Sequence, residues 1–162
     1  MDIVDVKENN LKESYNKIID LENYNNPIAL YGVFYDFLFN LFSLREGQGE
    51  SDTECDRPKL KKDTMYGALK YIYEIYKHSK QDITKLNIFV YKKKYPYSYP
   101  FNYSNSYAYF NNITDEIINT QDKQVHRDRF RFLYNKYLNG LTIKNVVSEI
   151  FNEILIKDQG EK

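Results

Sequence analysis

Residues 27–44 read PIALYGVFYDFLFNLFSL, an almost unbroken apolar run in which Asp36 is the one charged residue. A helix that is apolar on nearly all sides is either the central helix of a globular core or a membrane span. The run is at the lower length limit for a span, and Asp36 and Asn40 would be costly in the middle of a bilayer. We therefore predict a central core helix around which the rest of the chain packs, and no membrane insertion.

Helical periodicity predicts one amphipathic helix before this run and one after it, over residues 7–22 and 64–79. Asn26 is placed to cap the central helix, and Asp63 is placed to cap the helix that follows it. The apolar stripes of the two flanking helices consist of Leu11, Tyr15, Ile18 and Ile19 in the first and Met65, Leu69, Ile72 and Tyr76 in the second.

A polar stretch at 45–60 separates the central helix from the next one. It is rich in Gly, Pro and charged residues and has no apolar period, which predicts a mobile linker. Its Cys55 is the only cysteine of the chain, and its acidic neighbours oppose thiolate formation, so we expect no nucleophile there. Residues 158–162 are predicted to be a disordered tail of a single domain that covers 1–162.

The periodicity then changes from helical to extended. Residues 86–91 are β-branched and aromatic, and residues 106–110 are again rich in aromatic side chains, so both segments predict strands. Pro96 and Pro100 lie between them and disfavour both a helix and a central strand. We predict one β-hairpin around residues 86–110 that marks a surface loop rather than a strand pair in the core.

Helical periodicity returns after the hairpin. Thr114 is placed to cap a short helix. Residues 123–138 and the segment that Thr142 caps predict two longer helices, which we expect to pair antiparallel over 123–157. The predicted fold is mainly α within the α+β class, with about five helices in a bundle and one hairpin inserted around residues 86–110.

The composition excludes several classes of protein. Lys and Arg total 23 and Asp and Glu total 23, so the chain has no general basic excess with which to coat a nucleic acid. It has no phosphate-binding glycine loop, no dinucleotide-binding motif and no Gly-x-Ser-x-Gly sequence, and its two histidines lack zinc-binding spacing. We therefore predict no cofactor, no metal and no catalytic residue. The acidic N-terminus lacks the apolar segment of a signal peptide, which predicts a cytoplasmic protein.

Residues 83–114 contain no acidic side chain but hold four lysines and ten aromatic residues. Tyrosines supply a large, rigid contact area at low entropic cost, which favours a protein interface. Exposed aromatics with lysines also suit stacked bases and a phosphate backbone. Alternatively, the tyrosines cover the edge of a small sheet, or their number reflects an AT-rich genome. The candidate partner-binding residues are Lys92, Lys93, Lys94, Tyr95, Tyr97, Tyr99, Tyr103 and Tyr107.

A second candidate site lies near the start of the predicted helix 123–138. His126, Arg127 and Arg131 lie within about a turn and a half of helix, and the two arginines share one face. Such a face can hold a phosphate or another anion. In a ribonuclease, His126 would act as general acid or base. The simpler interpretation is a solvated helix face on which Asp128 offsets part of the positive charge.

These observations predict a non-enzymatic intracellular protein of the inhibitor, antitoxin or immunity type, from an AT-rich bacterium or phage. We expect it to bind another protein through the Tyr- and Lys-rich segment. A nucleic-acid-binding regulator is one alternative, and a small ribonuclease that uses His126 and the nearby arginines is another. Nucleic-acid binding would weaken steeply with salt because phosphate contacts release counterions, whereas ribonuclease activity would depend on His126.

Overall fold

The computed structural model describes residues 2–21, 26–47, 64–79, 83–93 and 106–159. Within these ranges the chain is mainly helical with one two-stranded antiparallel sheet, so the predicted bundle with a β-hairpin is confirmed. The helices are α1 (Ile3–Ile19), α2 (Pro27–Gly47), α3 (Met65–His78), α4 (Asp115–Ile118), α5 (Gln124–Tyr137) and α6 (Ile143–Gln159). The strands are β1 (Phe89–Lys93) and β2 (Ser106–Phe110), and a 3-10 turn spans Ile83–Leu86 before β1.

α2 and α6 each end within a segment that was predicted to lack regular structure. α2 continues to Gly47, so the first three residues of the predicted linker 45–60 are helical. The rest of that linker, with Cys55, lies outside the described residues. α6 continues to Gln159, and the remainder of the predicted tail 158–162 also lies outside them.

α2 is the central helix of the bundle. Both α1 and α3 pack against it. Its buried side chains are Leu30, Tyr31, Phe34, Phe37, Leu38, Leu41, Phe42 and Leu44. One side stays open, since Ile28 is 82% exposed and Phe39 is 50% exposed. Judged by length and composition only, Ile28–Arg45 is the one helix in the described ranges that is apolar enough to cross a membrane.

The helix starts are set by side chains that accept from free backbone N–H groups. Asp2 and Asp5 cap the start of α1 reciprocally, and α1 therefore begins four residues before the predicted start at residue 7. The predicted cap of α2 is confirmed, since Ala29 N–H donates to the Asn26 side chain at 3.2 Å. The predicted cap of α3 was wrong. Thr64 accepts from the N–H of Gly67 at 3.5 Å, and Asp63 lies outside the described residues.

The last two helices pack differently from the prediction. α5 packs against α3, where the Tyr71 and Phe130 rings stack with centroids 5.0 Å apart. α6 packs against α1, where the Tyr15 and Phe151 rings stack at 4.1 Å. The predicted antiparallel pairing over 123–157 was therefore wrong as a packing arrangement, because each helix buries its apolar stripe against an earlier helix.

The β-hairpin also departs from the prediction of a surface loop. Phe89 in β1 and Phe110 in β2 are 5% and 1% exposed, so the base of the strand pair belongs to the hydrophobic core. Their rings meet Phe34 of the central helix at centroid distances of 5.2 and 5.8 Å. The sequence did not reveal this position, because the two core-facing aromatics lie among many other aromatic residues in the same acid-free segment. The connection at 94–105 lies outside the described residues.

Candidate functional site

The candidate site is the described base of the β-hairpin, and its strands are held in place by an aromatic cluster. Tyr31 and Phe34 of α2 meet Phe89 edge-on, with ring centroids 4.9 and 5.2 Å apart. Phe110 meets Phe89 at 5.2 Å and Tyr134 of α5 at 6.2 Å, again edge-on. Edge-to-face contacts of this kind stabilise a core beyond the burial of apolar area. The start of the hairpin is therefore fixed against two helices.

Two buried tyrosine hydroxyls fix the backbone where β1 begins and β2 ends. The Tyr31 hydroxyl accepts from the N–H of Ile88 at 3.0 Å. The Tyr134 hydroxyl donates to the carbonyl of Asn111 at 2.8 Å, while the N–H of Asn111 donates to the carbonyl of Ile88 at 2.8 Å. Burial raises the pKa of Tyr134, and the nearby Tyr31 adds to the shift. Tyr134 is therefore held as a neutral hydrogen-bond donor.

The connection between α5 and α6 pairs with the end of β2 on its outer edge. Phe110 N–H donates to the carbonyl of Leu141 at 2.9 Å, and Gly140 N–H donates to the carbonyl of Phe110 at 3.0 Å. Tyr109 also forms an isolated antiparallel bridge with Thr142. Gly140 lies where the chain returns to β2, and its φ is +76°. Residues other than glycine rarely adopt this backbone conformation. The end of this edge at Tyr109 and Phe110 is therefore already paired.

Within the described part of the chain, no residue hydrogen-bonds to the outer edge of β1, and Phe89 at the start of that edge is 5% exposed. Phe89 lies opposite Phe110, and Phe110 directs both of its backbone groups away from β1, towards residues 140–141. The pair of Phe89 and Phe110 is therefore of the non-hydrogen-bonded kind, and every second residue of β1 shares that orientation. The N–H and C=O groups of Phe89, Tyr91 and Lys93 point outward, where no described residue bonds to them.

The predicted partner-binding residues fall into two groups. Lys92, Lys93 and Tyr107 belong to the strand pair, in which Lys92 lies opposite Tyr107 and Lys93 opposite Ser106. The other five lie outside the described residues; they are Lys94, Tyr95, Tyr97, Tyr99 and Tyr103. The strand pair therefore leads directly into the segment that the sequence singles out.

The second candidate site on α5 is engaged in contacts within the chain. Arg127 Nε donates to the carbonyl of Gln121 at 2.6 Å, and Arg131 lies 3.4 Å from Asp115 at the start of α4. His126 Nδ1 lies 3.3 Å from the hydroxyl of Tyr71. These contacts tie the α4–α5 connection to α5. The anion-binding and ribonuclease hypotheses gain no support from this arrangement and stay predictions.

A polar cleft of about 830 Å³ lies beside this connection, between the end of α3, the 3-10 turn and α4. Its charged lining includes Glu74, His78, Glu116 and Asp122. His78 is the last residue of α3, and its Nε2 lies 3.0 Å from a carboxylate oxygen of Glu74. Within the described residues, no three His, Cys, Asp or Glu side chains are arranged to hold a metal ion.

Sequence reasoning missed the features that anchor and orient the hairpin. Tyr31 and Tyr134 resemble ordinary apolar positions of amphipathic helices, because a helical period does not show where a hydroxyl will find a partner. The outward orientation of Phe89, Tyr91 and Lys93 depends on strand register and on the return of Leu141 to Phe110. The glycine at position 140 was the one available signal for that return, and by itself it indicates only a helix stop.

Comparisons of the chain with protein-family models, with curated proteins and with solved structures found no match. The geometry and charge of the hairpin are therefore the basis for a functional proposal.

Proposed function

We propose that this protein is a non-enzymatic binding protein of the inhibitor, antitoxin or immunity type, and that it binds a protein partner through the hairpin. The observation that carries the proposal is a strand pair that is anchored in the core and leads directly into the Tyr- and Lys-rich segment. Phe89 and Phe110 hold that strand pair against α2 and α5. A binding edge fixed in advance loses little conformational entropy when a partner docks.

The composition of the hairpin supports a protein rather than a small molecule as the ligand. Residues 83–114 carry ten aromatic side chains, and tyrosine is enriched at the centres of protein interfaces. Tyrosine has few rotatable bonds for its area, so ordering it on binding costs less than ordering a long flexible side chain. An inhibitor or immunity protein needs this kind of surface and no catalytic group.

A comparative pull-down from the source cell tests the proposal. The three variants are wild type, a hairpin variant with Tyr95, Tyr97 and Tyr99 changed to Ser, and a control with Asn145, Glu149 and Asn152 changed to Ser. The control residues are all exposed on α6 and lie outside the Tyr- and Lys-rich segment. Quantitative mass spectrometry of the retained proteins identifies a partner, and a reciprocal pull-down with that partner as bait confirms it.

We expect the partner to be retained by wild type and by the α6 control, and to be depleted at least about tenfold by the hairpin variant, as loss of interface anchors requires. Equal retention by all three proteins would show that the Tyr-rich segment is not the interface. Retention of nucleic acid rather than protein, lost at moderate salt, would replace this proposal with the nucleic-acid alternative.

A further inference from the structure

We infer that the outer face of the second half of α5 is a contact surface for a short acidic segment of another protein. This α5 face consists of Arg129, Phe132 and Lys136, which lie on successive turns of one side of the helix because they are three and four residues apart. The inference goes beyond the proposed function, since the face belongs to α5 and not to the hairpin.

The α5 face is exposed to solvent. Phe132 is 53% exposed, Lys136 is exposed and Arg129 is partly exposed. The opposite side of α5 is buried in the core through Phe130 and Tyr134. A single exposed phenylalanine is common on protein surfaces, so its exposure alone indicates no function. The charges beside it make this face a candidate for binding.

Lys136 is held above the aromatic part of the face. Its Nζ lies 5.4 Å from the ring centroid of Phe132 and 5.1 Å from that of Tyr137. Attraction to the two rings orients the ammonium group. In the part of the chain that the structure describes, no carboxylate forms an ion pair with it. An ammonium group that is oriented in advance loses less side-chain entropy when it binds a carboxylate.

The charge of the surrounding stretch selects an acidic occupant. Residues 129–148 contain no acidic residue but hold Arg129, Arg131, Lys136 and Lys144. Of these, Arg131 is already paired with Asp115. An acidic segment is therefore attracted to this end of α5, and such complementarity directs the encounter and excludes wrong partners.

A nucleic acid suits the α5 face less well than a short acidic segment does. A strand that follows α5 towards its N-terminus meets the exposed carboxylates of Asp128 and Asp122, which repel its phosphates. Asp128 lies one turn before Phe132 on the same side of the helix. A short acidic segment can place carboxylates near Lys136 and Arg129 and an apolar side chain on Phe132 without reaching these acids.

The experiment uses a nine-residue peptide of three Glu-Glu-Leu repeats as the probe. It is titrated at low salt into the isotopically labelled full chain, and binding is followed by the NMR shifts of the backbone amides. The test variant carries Phe132→Ser and Lys136→Gln. The matched control carries Phe39→Ser and Lys17→Gln, at exposed positions of α2 and α1. The two variants have the same composition and net charge, and circular dichroism with thermal unfolding establishes that both are folded.

We expect the peptide to shift the amide signals of residues 129–137 in wild type and in the matched control. Binding at these residues should be weaker by about tenfold or more in the test variant, because a charge partner and an apolar contact are both lost. A peptide of Lys-Lys-Leu repeats should leave the same signals unchanged.

Three results would overturn the inference. The first is no shift of residues 129–137 up to about 1 mM Glu-Glu-Leu peptide, including the case in which only the hairpin strands respond. The second is equally tight binding by the test variant and the matched control. The third is binding of a twelve-nucleotide deoxythymidine strand to the α5 face at least as tightly as the peptide, which would assign the face to a nucleic acid. None of these results changes the outcome expected of the pull-down.

Discussion

Tyr134 shows how one hydroxyl fixes the hairpin. It is fully buried, and it donates to the carbonyl of Asn111 at 2.8 Å. Replacing Tyr134 by Phe leaves that carbonyl without its donor, so we expect the free energy of unfolding to fall by about 1–3 kcal/mol. Urea unfolding measures the change. The control is Tyr35→Phe, because the hydroxyl of Tyr35 has no hydrogen bond within the described residues, and we expect a change within about 0.5 kcal/mol there.

The raised pKa of Tyr134 gives a second prediction, about pH. The folded state keeps this hydroxyl neutral above its ordinary pKa of 10.0, whereas the unfolded state releases the proton. Its contribution to stability is therefore complete below about pH 10 and is lost as the pH rises further, at about 1.4 kcal/mol per pH unit. The difference in unfolding free energy between wild type and Tyr134→Phe should shrink above pH 10. A constant difference would contradict the neutral, buried hydroxyl.

Single residues were predictable where local geometry decides their role. Asn26, Thr114 and Thr142 were all identified as helix caps, and each accepts a backbone N–H as expected. The roles of Tyr31 and Arg127 were not predictable. Their hydrogen-bond partners are Ile88, 57 positions away, and the carbonyl of Gln121 in an irregular connection. A single sequence contains no signal for pairs of that kind.

At the scale of elements, the return of the α5–α6 connection to β2 depends on Gly140. Its φ of +76° makes Gly140→Ala strained although no atom lies near the new side chain, so we expect a loss of about 1–2 kcal/mol. Gly32 in the exposed middle of α2 also has open space around it, but its backbone is helical. Gly32→Ala should therefore raise stability by about 0.5–1 kcal/mol. Thermal unfolding of both variants checks the opposite signs; the same sign in both would contradict the account of this turn.

Element types were more predictable than element neighbours. The helical and extended periods identified α2, α5 and β2 to within a few residues, because periodicity reflects burial along one segment. Which helices become neighbours depends on which of their apolar stripes pack against each other. The stripe of α6 could pack on α5 or on α1, and the stacking of Tyr15 on Phe151 shows that α1 is its neighbour. The orientation of β1 is a consequence of such long-range contacts.

At the scale of the whole molecule, α2 holds the bundle and the hairpin together. Phe34 is fully buried and touches Phe89 and Phe110, whereas Phe39 on the same helix is 50% exposed. Phe34→Ala should therefore lower the free energy of unfolding by about 3–5 kcal/mol. Phe39→Ala should change it by no more than about 0.5 kcal/mol. Similar losses in both variants would mean that the open side of α2 is covered in solution.

The general architecture was predictable because the apolar run at 27–44 leaves little choice for a central helix. The candidate site was predictable only as a region. Its composition marks residues 83–114, but the orientation of the strand pair depends on the contact of Phe110 with Leu141, which no local pattern encodes.

The most direct test of the orientation of the hairpin is NMR-detected hydrogen exchange of the β1 amides in the free protein. The amides of Val90 and Lys92 face β2 and should exchange slowly, whereas the amide of Tyr91 faces outward and should exchange much faster. This alternation is the result that the account predicts. Slow exchange of Tyr91, equal to that of Val90 and Lys92, would show that the edge is already paired and would contradict it.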